Sequence, residues 1–207
     1  MTSYTSFIIY WLLFFAVHSA MASSVIKIWV NGLHPVFKSY YRLTFNIVSI
    51  ILLVPIVYIY FNLPATMIFK TIPIGELMGI LFVIGGTYIL IVGFKNYRTD
   101  EFIGIYQLKN NHEFHPSKLH RTGWNGVVRH PLYFGGILLA TGLLLMYPTV
   151  KLILTTLLVM LYLYIGTLWE EKKLIDEFGD DYLTYKNEVS MLIPVKWIIR
   201  QIAGSSH

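Results

Sequence analysis

Residues Arg129–Pro194 contain the pattern from which the architecture of the chain can be predicted. This stretch opens with Arg129-His130-Pro131-Leu132-Tyr133-Phe134-Gly135, passes through two uncharged apolar segments, Pro131–Val150 and Leu152–Trp169, and then reaches Glu170-Glu171. At about 1.5 Å per residue, helices of about 18–20 residues are roughly 27–30 Å long, which is the thickness of a bilayer core. Two such helices joined by a tight turn run antiparallel. We therefore expect His130 and Glu170 to meet at one face of the membrane.

The composition of the whole chain is that of a membrane protein. Hydrophobic residues make up 56% of it and charged residues 13%, with a mean hydropathy of +0.60, whereas soluble domains carry about 25% charged residues. Charge-free stretches predict five transmembrane helices, at about 6–26, 43–63, 76–94, 131–148 and 151–170. The predicted fold class is all-α integral membrane, as a single membrane domain over residues 1–203. Residues 204–207, Gly-Ser-Ser-His, resemble a vector-derived tail and are set aside.

The distribution of basic residues predicts the orientation. Successive connecting segments on one side carry three, six and five Lys or Arg residues, and those on the other side carry zero, one and one. The positive-inside rule then places the N-terminus outside and the C-terminus in the cytoplasm, in the inner membrane. The loop 95–130, the tail 171–203 and a short loop at Trp29–Tyr41 fall on the cytoplasmic side. This topology explains the net charge of +5 better than nucleic-acid binding does, so membrane lipids are the expected surroundings.

The tail is predicted to lie along the membrane surface. Apolar and aromatic residues recur after Glu171 at spacings of four, four and three, with charged residues on the other face. This pattern predicts an amphipathic helix that is either an interfacial anchor or a lid over the site between His130 and Glu170. Trp197 and Arg200 indicate a second interfacial helix. The periodic residues are Leu174, Phe178, Tyr182 and Tyr185.

Histidines raise the question of a metal or a prosthetic group. The chain has no cysteine, which excludes thiolate ligands and cysteine nucleophiles. His112, His115 and His120 match no metal-binding motif, so a solvated loop or substrate contacts are favoured and no metal site is predicted. His18 lies near mid-membrane depth, where it is either a neutral histidine bonded to a neighbouring helix or part of a pocket or ligand set. Gly85-Gly86 similarly indicates either close helix packing or room for a cofactor.

Adjacent carboxylates at the end of a span call for a positive partner. The helix dipole disfavours Glu170 and Glu171 at a helix C-terminus, so Arg129, the following lysines or a bound cation must compensate them. Arg129 and Pro131, at the start of the other helix, fit anion binding at a helix N-terminus. A ligand with a cation, a carboxylate and an apolar ring would suit this site. The residues alone do not single out one such ligand.

The same stretch resembles a known family of enzymes. Arg129-His130-Pro131-x-Tyr133-x-Gly135, followed by Glu170-Glu171-x-x-Leu174-x-x-x-Phe178-Gly179-x-x-Tyr182-x-x-Tyr185, is similar to the signature of integral-membrane methyltransferases. These include isoprenylcysteine carboxyl methyltransferases, phospholipid N-methyltransferases and methanethiol S-methyltransferases. Many members have a tyrosine where this chain has Asn125, which bears on the shape of the acceptor side.

The resemblance implies a function and a set of site residues. It implies an S-adenosylmethionine-dependent methyltransferase that acts on a small apolar or lipid-like acceptor: a thiol, a carboxylate or an amine. By that resemblance, the catalytic residues are Arg129, His130 and Glu170, and the residues binding S-adenosylmethionine are His130, Pro131, Tyr133, Gly135, Glu170 and Glu171.

Two other hypotheses stay open. The N-terminal half, with His18-Ser19-x-x-Ala22-Ser23 and Tyr41-Arg42-Leu43-x-x-Asn46, resembles NnrU-type membrane proteins. Because that group includes zeta-carotene isomerases, haem is implied there, with His18 as the axial ligand. A small scaffold or transport subunit is the non-enzymatic alternative.

Overall fold

A computed structural model of the chain describes residues 3–95 and 119–204. Within these ranges the protein is built from α-helices and their connections, which confirms the predicted all-α membrane class. Most of the expected loop at 95–130, including His112 and His115, lies outside the described residues. The helices are α1 (Tyr4–Ala22), α2 (Ser24–Leu33), α3 (Pro35–Asn62), α4 (Pro73–Lys95), α5 (Pro131–Met146), α6 (Val150–Phe178), α7 (Asp180–Glu188) and α8 (Val195–Gly204).

Several helices are suited to crossing a bilayer. By length and composition α1, α3, α4 and α6 are long and apolar enough, and α5 is a shorter apolar helix. The 16 residues of α5 come to about 24 Å, somewhat less than a typical bilayer core. Large apolar side chains on these helices are exposed, as lipid-facing residues are; Ile51 on α3 and Ile84 on α4 are 60% and 61% exposed.

The chain divides into two compact units, and the first contains α1, α2 and α3. Aromatic side chains from α1 form its core: Phe7 meets Trp11 edge-on at 6.4 Å, and Trp11 meets Phe14 in the same way at 5.9 Å. The Tyr41 hydroxyl on α3 donates a 2.6 Å hydrogen bond to the carbonyl of Met21 at the end of α1. That bond ties α3 to the point where α1 ends.

The prediction of a loop over Trp29–Tyr41 is wrong, because this segment is helical on both sides of His34. The Ser23 hydroxyl accepts from the backbone N–H of Ile26 and caps α2. His34 Nδ1 accepts from the N–H of Val36 at 3.2 Å and caps α3. Pro35 then occupies the first turn, where its fixed φ favours a helix start. The His-Pro pair therefore begins a helix instead of interrupting the chain.

In the second unit, α4 and α5 pack with their backbones in close contact. A Cβ built on Gly86 would lie 2.6 Å from the Gly135 carbonyl oxygen, and one built on Gly142 would lie 2.6 Å from the Gly79 carbonyl oxygen. These pairs are seven residues apart on each helix and run in opposite directions, so the helices are antiparallel. Small residues let membrane helices approach this closely. Gly86 therefore has a packing role, which is the first of the two alternatives predicted for Gly85-Gly86.

A tight turn connects α5 to α6. Pro148 is buried, its carbonyl accepts from the N–H of Ile68, and Thr149 caps α6 by accepting from the N–H of Leu152 at 3.4 Å. The turn reverses the chain so that the C-terminal part of α6 returns to the beginning of α5. The predicted hairpin is therefore present.

The helix that was expected to end near Glu170 continues without a break to Phe178. It ends at Gly179, whose φ of 55° lies in the left-handed region that glycine favours. The single amphipathic helix predicted after Glu171 is therefore two pieces: the end of α6, and α7. Tyr182, Tyr185 and Val189 still form one buried cluster, with Leu119, Leu174, Ile175 and Phe178 packed against it. The second interfacial helix is α8, which is amphipathic as expected.

Candidate active site

The centre of the site is the carboxylate of Glu171, which lies in the last third of α6 and is 4% exposed. Arg129 binds it with two parallel hydrogen bonds: Nε donates to Oε1 at 2.7 Å and Nη2 donates to Oε2 at 2.9 Å. Both side chains are 5% exposed. This bidentate geometry is the strongest form of a charge-assisted hydrogen bond.

Three further groups approach the same carboxylate. His130 Nε2 lies 3.0 Å from Oε1, the Tyr182 hydroxyl donates to Oε1 at 2.8 Å, and Lys186 Nζ lies 3.5 Å from Oε2. Both oxygens of Glu171 are therefore occupied by donors from the protein. A buried carboxylate needs such partners, because an unpaired charge in the interior is very costly.

Arg129 also connects the start of α5 to the end of α7. Its Nη1 donates to the carbonyls of Lys186 and Val189, and its backbone N–H donates to Ser190 O at 2.8 Å. A positive charge at a helix C-terminus is favoured by the helix dipole. All three nitrogens of the guanidinium thus have partners inside the protein, which gives Arg129 a scaffolding position and leaves little of it for an external anion.

His130 lies between the two carboxylates. Its Nε2 faces Glu171, and its Nδ1 is 3.5 Å from Oε2 of Glu170. Burial alone would lower the pKa of His130, but hydrogen bonds and charge from Glu170 and Glu171 outweigh it, and the pKa is raised above its ordinary value. The Tyr133 ring stacks on the imidazole, with centroids 5.6 Å apart and an interplanar angle of 7°.

Glu170 differs from its neighbour in exposure. Its side chain is 43% exposed, whereas that of Glu171 is 5% exposed. Tyr133 is partly buried and its side chain interacts with Glu170. Glu170 and the partly buried Tyr133 therefore form an anionic and aromatic surface. His130, whose side chain is 5% exposed, lies between this surface and the buried carboxylate of Glu171.

The structure brings together most of the residues that the sequence selected, and their functional roles stay predictions. Arg129, His130, Tyr133, Glu170 and Glu171 are joined by the contacts above. Pro131 is buried at the first position of α5, where it begins the helix. Gly135 lies against α4, where a Cβ built on it would be 3.0 Å from the Gly86 carbonyl oxygen.

Sequence reasoning missed the polar role of Tyr182, which it assigned to an amphipathic face. Tyr182 follows Glu171 by eleven residues, close to three helical turns, so the spacing places both on one side of a helix. That spacing was the available signal. The hydroxyl could not be recognised as a partner because the chain bends at Gly179 between them.

His18, in the first unit, is partnered by a neighbouring helix. Its Nδ1 lies 3.0 Å from the Ser49 hydroxyl on α3, and its ring stacks on Phe14 with centroids 5.2 Å apart. This contact fits the first of the two interpretations of His18, a histidine bonded to its neighbour. Within residues 3–95 and 119–204, no group of three or more His, Cys, Asp or Glu side chains could hold a metal ion. The NnrU resemblance and the haem hypothesis stay predictions.

These features define a class of protein: an α-helical membrane protein with a buried ion-pair cluster and a half-exposed carboxylate beside stacked rings. The phospholipid methyltransferase family matches residues 75–181, which is slightly more than half of the 207 residues and runs from α4 into α7. The chain belongs to this family. The membrane methyltransferase resemblance of the C-terminal signature is thereby confirmed.

Three curated relatives carry a related name. Methanethiol S-methyltransferase 1 of Bradyrhizobium diazoefficiens is 36% identical over 97 residues, covering 45% of this chain and 33% of the relative. Methanethiol S-methyltransferase of Crocosphaera subtropica is 28% identical over 182 residues, covering 86% of this chain and 69% of the relative. Methanethiol S-methyltransferase of Pseudomonas deceptionensis is 38% identical over 68 residues, covering 33% of this chain and 25% of the relative.

The match thus spans about a third of the Bradyrhizobium relative and a quarter of the Pseudomonas one. No solved structure matches the chain.

Proposed function

We propose that this protein is an S-adenosylmethionine-dependent methyltransferase whose acceptor is a small apolar or lipid-like molecule. One observation carries the proposal: the hairpin of α5 and α6 places the half-exposed carboxylate of Glu170 beside the stacked His130 and Tyr133 rings. Family membership supports methyl transfer as the reaction.

The residues at this position fit the charge and shape of the donor. S-adenosylmethionine carries a sulfonium and an ammonium group, a carboxylate and a flat purine, and when bound it supplies a methyl group on positively charged sulfur. Glu170 offers an accessible anion for the cationic part, and the Tyr133 ring offers a flat apolar surface. His130, Tyr133 and Glu170 are therefore the residues that we propose to contact the donor.

The other predicted ligand residues would act from behind this surface. Pro131 sets the start of α5, and Gly135 allows α5 to lie against α4. Glu171 has its oxygens occupied by Arg129, His130 and Tyr182, so we assign it to holding the site together.

The chain contributes mainly by holding and orienting the reactants. Holding two reactants in line removes much of the entropic cost of a bimolecular step, and a closed site excludes water. An acceptor that reacts as a thiol or amine must lose a proton, and Glu170 is placed to take it, whereas both ring nitrogens of His130 already face carboxylates. We place the site on the cytoplasmic face of the inner membrane, as the basic residues predict.

The first experiment is ligand binding to purified full-length protein in detergent. We expect S-adenosylmethionine and S-adenosylhomocysteine to raise the melting temperature. Glu170→Gln should weaken the affinity for each ligand by tenfold or more, because a charge-assisted contact is lost. Glu188→Gln is the matched control, because Glu188 is an exposed carboxylate on α7. No stabilisation of the wild-type protein at millimolar ligand would refute the proposed donor.

The second experiment identifies the acceptor class. Transfer of a labelled methyl group is measured against methanethiol, prenylated cysteine and phospholipid amines, beginning with the thiol named in the three relatives. Product with one class and not the others assigns the acceptor. Absence of label in every class, with the donor bound, would refute methyl transfer to a small apolar or lipid-like acceptor.

A further inference from the structure

We propose that Tyr182 is a positioning residue for His130 and acts through Glu171. The inference deepens the proposed function and rests on it, because the imidazole that Tyr182 would orient is one of the groups proposed to contact the donor. It concerns a residue on α7, outside the two helices whose ends form that surface.

The geometry centres on one oxygen. Oε1 of Glu171 accepts from the Tyr182 hydroxyl at 2.8 Å, from Arg129 Nε at 2.7 Å and from His130 Nε2 at 3.0 Å. Because this oxygen only accepts, Nε2 of His130 carries a proton, and the ring is turned so that Nδ1 faces Glu170. Tyr182 is 1% exposed, so its hydroxyl is not accessible to solvent.

Removing this hydroxyl changes the hydrogen bonding and the orientation of the carboxylate that faces His130. Oε1 would share its charge among fewer donors and attract the imidazolium more strongly, which raises the pKa of His130 further. The carboxylate would also lose a contact that fixes its rotation, and the imidazole would be held less precisely. The ionisable groups around this arrangement are Glu170 and Glu171 on α6, Arg129 and Tyr133 beside His130, and Tyr182 and Lys186 on α7.

Tyr185 provides a matched control on the same helix. It is 2% exposed and its hydroxyl donates a 2.7 Å hydrogen bond, but to the backbone carbonyl of Asn125. Tyr182→Phe and Tyr185→Phe therefore each delete one buried hydroxyl and one hydrogen bond. They differ in whether the lost bond reaches Glu171.

The experiment measures two quantities in the full chain. Histidine is isotope-labelled, the His130 signal is assigned with His130→Gln, and its pKa is followed by NMR in detergent without ligand. S-adenosylhomocysteine affinity is then measured by calorimetry. We expect Tyr182→Phe to raise the pKa of His130 and weaken the affinity about 3–10-fold, and Tyr185→Phe to change the affinity by less than about twofold.

A second variant covers the case in which Tyr182→Phe does not fold. Site-specific 3,5-difluorotyrosine at position 182 keeps the ring and strengthens the hydroxyl as a donor, so it should lower the pKa of His130. An unchanged pKa in both Tyr182 variants would overturn the proposal. So would equal shifts in the Tyr182 and Tyr185 variants, which would indicate a general structural effect.

The two proposals fail separately. If wild-type protein does not bind S-adenosylhomocysteine, the proposed donor is refuted, while the His130 titrations still decide whether Tyr182 acts on His130. If the pKa of His130 changes but affinity does not, Tyr182 has no positioning role at the donor site.

Discussion

The two adjacent glutamates at the end of α6 should respond very differently to the same substitution. Glu171→Gln keeps the shape of the side chain and removes its charge, which leaves Arg129 buried without a counter-ion. Glu170→Gln makes the same change one residue earlier, on a side chain that is 43% exposed. We expect the first to destabilise the protein and the second to leave its stability nearly unchanged.

The magnitude follows from burial. Breaking one partner of a buried, hydrogen-bonded ion pair costs about 3–5 kcal/mol, and both partners here are 5% exposed. For a chain of this size, each kcal/mol lowers the melting temperature by about 2–4 °C, so Glu171→Gln should lower it by roughly 6–20 °C. A partly exposed pair contributes about 0–1 kcal/mol, so Glu170→Gln should lower it by no more than about 4 °C.

The assay is thermal unfolding in one detergent, without ligand, for the single variants Glu170→Gln, Glu171→Gln and Arg129→Gln. The double variant, Arg129→Gln with Glu171→Gln, is measured in the same way. The double variant removes both charges, so its loss of stability should be clearly smaller than the sum of the losses for Arg129→Gln and Glu171→Gln alone. Equal losses for Glu170→Gln and Glu171→Gln would refute the expected role of the buried ion pair. Strict additivity of Arg129→Gln and Glu171→Gln would also refute it, because the ion pair would then contribute no coupling.

Three further predictions concern stability in the second unit. The pKa of His130 is raised in the folded state, so the stabilising contribution of the protonated imidazole is complete below about pH 6.5 and is lost as the pH rises through the folded-state pKa. The melting-temperature difference between wild type and His130→Gln should therefore narrow with rising pH. A difference that stays constant with pH would contradict this. Gly86→Ala places a Cβ 2.6 Å from a backbone oxygen and should cost about 1–3 kcal/mol in thermal unfolding, whereas Gly85→Ala meets nothing within 4 Å and should not destabilise; similar results for the two would contradict the α4–α5 packing. Gly179→Ala should cost about 1–2 kcal/mol because φ is 55° there, and Gly166→Ala, with open space around it, is the control; no loss at Gly179 would mean that the break between α6 and α7 is not strained.

Much of the helical architecture could be predicted from runs of residues without charge. The apolar stretch after Glu76 became α4, and the hairpin that returns Glu170 to His130 is present because α5 and α6 are joined by a short turn. Helix ends were harder. Ser23 and His34 cap helices where a loop was expected, because a side chain that accepts from the backbone favours a helix start that hydropathy does not detect.

The sequence predicted which residues make up the candidate site but not how those residues are arranged within it. The resemblance implied a catalytic and a donor-binding role for Glu170 and a donor-binding role for Glu171, and it did not indicate which of the two carboxylates is buried. Consecutive residues on a helix point about 100° apart, so one of the pair is buried when the other faces outward. Which one is buried depends on the direction from which Arg129, His130 and Tyr182 approach.

Two features could be predicted from the order of the residues alone: the chain is a helical membrane protein, and Arg129-His130 and Glu170-Glu171 meet at one end of a hairpin. These follow from hydropathy, helix rise and a short turn, all of which are local properties. Three features depend on how the helices pack: Glu171 is the buried acceptor, Glu170 stays accessible, and Tyr182 joins the cluster. Burial and hydrogen-bond partners depend on segments up to 60 residues apart, and such contacts form only when α7 packs against the ends of α5 and α6.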